Sequence, residues 1–104
     1  MAFDRRAPAG WAMHPGEILK QEFLKPHELS GYALAKQIDV PPQAVNDIVL
    51  KKRGISAEMA LRLARFFETS EEFWMNLQSA YELATARAAN RKSLSRIRPL
   101  GTAA

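Results

Sequence analysis

Six side chains within eleven residues have the chemistry to touch a nucleic acid: Gln43, Asn46 and Asp47, then Lys51, Lys52 and Arg53. A Gln or Asn amide can donate to and accept from one adenine edge, and a carboxylate can accept from cytosine. Lysine and arginine hold phosphates without reading sequence. On a helix, positions 43, 46 and 47 fall at i, i+3 and i+4 and share a face. The plainer reading is a solvated helix face closed by a basic last turn, where cations suit the helix dipole. The two readings are compatible for Lys51–Arg53, because a capping cation can still reach a phosphate. Asp47 is a contact only if it faces a base, since elsewhere it repels phosphates.

Such a face must be held by something, and the stretch Gly31–Leu50, GYALAKQIDVPPQAVNDIVL, supplies it. Leu34, Ala35 and Ile38 fall on one side of a first short helix, and Val45 and Ile48 repeat at i+3 on a second. Ala35 is small where two steeply crossing helices approach, and Val40 fills the corner between them. Pro41 and Pro42 fix where the second helix begins. Val40 and Pro41 each precede a proline and are pushed out of the α region, while Pro42 suits a first helical position. This is the spacing of a helix-turn-helix, whose second helix enters the major groove. Ser30 caps the first of the pair, and its hydroxyl and the following amides could add a phosphate contact.

Around this pair the remaining chain reads as three more helices. Pro15–Leu24 carries an apolar stripe at Ile18, Leu19, Phe23 and Leu24, with Glu17 and Glu22 outward and His14 beside Pro15 as a cap. Gly54 reads as a left-handed stop after Lys51–Arg53. Ser56 caps a helix to about Phe67, with Met59, Ala60, Leu63, Phe66 and Phe67 inward and Glu58, Arg62 and Arg65 outward. Thr69 or Ser70 opens a capping box for a last helix to about Arg87. Phe73, Trp74, Leu77, Ala80, Tyr81 and Ala84 line one side of that helix. Five helices cannot enclose every large face, so Trp74, Leu77 and Tyr81 are the expected contacts with a two-fold partner. The expected organisation is a flexible arm over 1–12, an all-α domain over 13–88 and a basic flexible tail over 89–104, with Trp11 as the arm residue able to dock.

Composition excludes more than it specifies. With 47% hydrophobic residues and 25% charged, the chain can bury one modest core. The net charge of +4 splits as +1 over 1–12, −2 over 13–83 and +5 over 84–104. The basic balance therefore belongs to the ends and does not by itself argue for DNA. The absence of cysteine rules out a disulfide framework, a zinc-thiolate site and a thiol nucleophile. His14 and His27 have no companions at metal-ligand spacing, so no metal or cofactor is expected. Ser30, Ser56 and Ser70 are explained as caps and no phosphate loop occurs, so the chain is not expected to be an enzyme. No apolar stretch approaches a membrane span, and a cytoplasmic protein is expected. Glu17, Glu22 and Glu28 read as a solvated acidic face.

The flanks of the motif add a resemblance. HPGEIL at 14–19, VPPQ at 40–43, KRGI at 52–55, ALRLARFF at 60–67, and then TS, EFW and NLQ resemble the HigA/VapI group of addiction-module antitoxins in the Xre, lambda-repressor-like, superfamily. The resemblance implies a compact five-helix domain that dimerises on a double-stranded DNA operator and represses its own operon. It also implies neutralisation of a small basic RNA-cleaving toxin of the HigB/RelE type. Two positions depart from the pattern. Asp39 stands where a turn glycine is common, and Asp tolerates left-handed geometry better than most residues. Gly31 stands where a glutamine commonly touches a phosphate. A solitary Xre-family repressor, or a toxin-binding module without DNA binding, are the alternatives.

Overall fold

The computed structural model describes residues 12–102, so most of the expected arm, Trp11 included, lies outside the described residues. Among the described residues every regular element is helical, six helices where five were expected. Helix α1, Pro15–Ile18, starts at His14, whose Nδ1 accepts the amide of Gly16 at 2.9 Å. It runs on without a break into a π-helical stretch, Leu19–Leu24, in which the Lys25 amide reaches the Lys20 carbonyl at 3.0 Å. The spacing of Ile18, Leu19, Phe23 and Leu24 has this cause. In an α-helix a residue five further on lies about 140° round the axis, whereas in a π turn it returns towards the same face.

The next three helices are α2, Gly31–Gln37, α3, Pro42–Val49, and α4, Ala57–Phe67. Ser30 and Ser56 accept from the amides of Ala33 and Met59 at 3.0 and 3.1 Å, as N-caps do. Helices α2, α3 and α4, and the turn after the π-helical stretch, all stop the same way. One non-glycine residue turns left-handed, and the next amide bonds back five residues. The left-handed residues are Glu28, Asp39, Lys51 and Glu68, with φ of 50°, 60°, 65° and 58°. Asp39 adopts the conformation that its place in the turn demands. The stop after α3 is Lys51 and not Gly54: the Lys52 amide returns to the Asp47 carbonyl at 2.8 Å.

Helix α5, Glu71–Ala89, opens at Ser70, whose hydroxyl accepts from the Phe73 amide at 3.0 Å. Thr69 does not share that role. Its hydroxyl accepts the indole N–H of Trp74 at 2.8 Å. This placement corrects the expected dimer surface. Trp74 is 0% exposed and Leu77 4%, both within the core, so neither can meet a second chain. Phe23, Phe67 and Phe73 pack round Trp74 at ring-centroid distances of 4.9, 6.2 and 5.1 Å. Tyr81 is half-buried, its ring 4.8 Å from that of His14. Past Ala84 every side chain to Leu100 is exposed, including the short helix α6, Arg91–Ser95, in the expected tail.

Leu34, Ala35, Val45, Ile48 and Leu63 form the centre of the core, joining α2, α3 and α4. Helix α1 closes over it so tightly that a Cβ on Gly16 would fall on the main-chain carbonyl oxygen of Ile48. A backbone obstacle cannot rotate away, unlike a flexible side chain. Gly16→Ala is therefore expected to lower the unfolding free energy by about 2–3 kcal/mol in urea melts. Gly101→Ala, with nothing within 4 Å of the new methyl, should stay within about 0.5 kcal/mol.

Candidate nucleic-acid interface

Helix α3 turns Ala44, Val45 and Ile48 inward and leaves Gln43 and Asn46 exposed. Its start is fixed by proline geometry: Pro41 is extended, with φ −63° and ψ 143°, and Pro42 takes the first helical position. Asp47 is the least exposed of the three expected base contacts. Its Oδ1 accepts from Gln43 Nε2 at 2.6 Å, and its Oδ2 lies 3.6 Å from the Arg53 guanidinium. The structure thus brings Gln43, Asp47 and Arg53 into one linked group. Asn46 faces a different neighbourhood, a cleft shared with Lys20, Lys25, Ser30 and Gly31. The Ser30 hydroxyl caps α2 as an acceptor and keeps its own hydrogen to donate. At Gly31 a Cβ would make only ordinary contact, 3.4 Å from Val45 Cγ1, so glycine is not required there by packing.

The three cations after α3 are not equivalent. Lys51 lies 3.5 Å from Glu17 of α1, Arg53 pairs with Asp47, and Lys52 has no ion-pair partner among the described residues. The Glu17 carboxyl is held below its ordinary range, chiefly by the Gln21 amide at 3.1 Å. Partial desolvation opposes this, and Lys51 and Lys20 add to it. Glu17, expected to point outward, is half-buried and engaged by Gln21 and Lys51. The His14 ring is also held below its ordinary pKa, by burial first and by Lys51 second. A neutral ring is what the cap needs, because Nδ1 must be unprotonated to accept from Gly16.

Two residues that aim this surface are on neither reading helix. Gln78, buried on α5, accepts the Ile55 amide at 2.7 Å and donates to Glu82 at 2.6 Å. A Cβ on Gly54 would meet its amide group at 2.6 Å, so a side chain there has to displace the amide that holds Ile55. This bond ties the segment that carries Lys51–Arg53 to α5. Arg62, expected on the outside of α4, is half-buried and donates to the Ile38 carbonyl at 2.8 Å while pairing with Glu58 at 3.0 Å. It braces the turn between α2 and α3. Sequence signals for both were weak: a polar residue amid an apolar stripe for Gln78, and none for Arg62. Lys20 and Lys25 were likewise not singled out, though they flank the cleft holding Ser30 and Asn46.

Two short helices crossing at a braced turn, with the polar side of the second free and cations at its end, define a helix-turn-helix DNA-binding domain. The chain belongs to the HTH_3 helix-turn-helix family, whose pattern it matches over residues 20–74, within the HigA-type antitoxin group. It is 57% identical to the Pseudomonas aeruginosa antitoxin HigA solved with the higBA promoter, at a TM-score of 0.83 over 86% of this chain and 98% of that one. It is 48% identical to virulence-associated protein I of Dichelobacter nodosus, covering 88% of this chain and 83% of the relative. Antitoxin HigA-1 of Vibrio cholerae is 32% identical over 82% of this chain and 80% of its own length.

The unequal pairing of the cations is expected to show as a difference in DNA binding. Lys52→Ala should reduce the slope of log affinity against log salt by about one, the loss of one phosphate contact. Lys51→Ala and Arg53→Ala should weaken binding more than Lys52→Ala at low salt, because each strands a carboxylate, Glu17 or Asp47, near the phosphates. Fluorescence anisotropy across a salt series reads both quantities. Equal losses for all three, or an unchanged slope for Lys52→Ala, would remove this ranking.

Proposed function

We propose that this chain is the antitoxin of a two-gene toxin–antitoxin module and acts by binding alone, without catalysis. It sits on operator DNA as a two-fold dimer, represses its own operon in the cytoplasm, and neutralises a small basic RNA-cleaving toxin of the HigB/RelE type. The observation that carries the reading is the exposed α3 face, Gln43 and Asn46 with the cations after it. It stands on a fold that superposes on an antitoxin solved with its promoter. Gln43 and Asn46 read bases, while Lys51, Lys52, Arg53 and the Ser30 hydroxyl hold phosphates.

A dimer follows from the geometry of the motif, because two half-sites one helical turn apart require two reading helices. With Trp74 and Leu77 in the core, the surface left on α5 is its distal half. Leu83 is 53% exposed there, beside half-buried Ala80 and Tyr81. Among the described residues, no helix is long and apolar enough to cross a membrane.

Growth and reporter assays test the whole reading together. Expression of the small basic reading frame beside the gene should arrest growth, co-expression of this chain should restore it, and a reporter on the module's promoter should be repressed. Leu83→Glu should sediment as a monomer and lose at least about tenfold in operator affinity. Repression without rescue would instead favour a solitary repressor. Rescue without repression would favour a toxin-binding module that does not bind DNA.

A further inference from the structure

Within the DNA-binding reading proposed above, we infer that Asp47 is a positioning residue for base recognition: it sets the Gln43 amide before DNA arrives, and Arg53 neutralises it there. The Gln43 amide has two N–H donors and one carbonyl acceptor. One donor is taken by Asp47 Oδ1 at 2.6 Å, which leaves the second donor and the carbonyl free. That pair is what an adenine edge requires in the major groove. A glutamine on an open helix face otherwise samples many rotamers, and ordering it on binding opposes affinity. Holding it in advance removes part of that opposition and fixes which side of the amide donates.

The second half of the arrangement deals with charge. A lone carboxylate on the reading face would repel the phosphates that flank the groove. Arg53 Nη2 stands 3.6 Å from Asp47 Oδ2, and the carboxylate is only 17% exposed, so the ion pair screens it from one side while Gln43 covers the other. The Lys51 left-handed stop is what returns Arg53 to this position six residues after Asp47. A surface i, i+4 pair with no role in recognition would account for the Gln43 contact alone. It would not account for the same carboxylate also capturing a cation from beyond the end of the helix.

The proposal predicts opposite changes in two quantities that a merely structural residue would not separate. Selection from a pool of randomised DNA duplexes, followed by sequencing, gives base preference at each position; binding to a fixed unrelated duplex gives non-specific affinity. Gln43→Ala identifies the position that Gln43 reads. Asp47→Ala should flatten preference at that same position by about tenfold while raising non-specific affinity, since a negative charge has left the face. Asp47→Asn, which keeps an acceptor for Gln43, should hold the preference within about twofold and also raise non-specific affinity. In a Gln43→Ala background, Asp47→Ala should change non-specific affinity only. Preference lost at a different position, or undiminished in Asp47→Ala, overturns the positioning role. A wild-type chain that binds none of these duplexes overturns the DNA-binding reading itself, and this inference with it.

Discussion

The arrangement of the molecule depends on one close approach, the seating of Gly16 against the main-chain carbonyl of Ile48. Two backbones meet there with no side chain between them, which sets how far α1 stands from the end of α3. The consequences run outward from that contact. The His14 cap holds the first turn of α1 in place, Glu17 on the same turn reaches Lys51, and the Lys51 stop directs the chain away from α3. Helix α3 is fixed at both ends: by proline geometry at its start and by α1 at its finish.

Charge is handled in the same neighbourhood. The part of the chain that forms the domain is slightly acidic, so attraction to DNA cannot come from its average charge. Local placement does the work instead. Glu17 and Asp47 each hold a cation near the α3 terminus, at 3.5 and 3.6 Å, and Lys20, Lys25 and Lys52 add charge without an ion-pair partner among the described residues. Pairs of this kind, in which the cation is half exposed, contribute little to stability, on the order of 1 kcal/mol or less. Their effect is on orientation: the carboxylates of Glu17 and Asp47 hold Lys51 and Arg53 at the end of α3.

Local features were legible in the sequence and long-range ones were not. Ser30, Ser56, Ser70 and His14 act as caps because a cap is decided within three residues, and Asp39 turns left-handed for the same reason. The five-residue step from Ile18 and Leu19 to Phe23 and Leu24 is the mark of the π-helical stretch, but an apolar stripe of that spacing alone does not separate a π turn from an ordinary helix. Trp74 and Leu77 show the limit. Periodicity says that they share a face, not whether that face meets the same chain or a second one. The decisive contact, the indole N–H on Thr69, is visible only once the aromatic cluster is assembled. Gln78 and Arg62 reach across 23 and 24 residues to backbone atoms, and nothing in their surroundings along the chain encodes such a partner.

The proposed DNA-binding surface is the α3 face, framed by Ser30 on one side and Lys51–Arg53 on the other. Amide chemical shifts of the isotope-labelled chain, followed while its own promoter duplex is added, test this residue by residue. The largest changes are expected at Gly31, at Gln43 to Asp47 and at Lys51 to Arg53, with the buried amides round Trp74 nearly unmoved. Largest changes on α4 or α6, with the α3 face undisturbed, would contradict it.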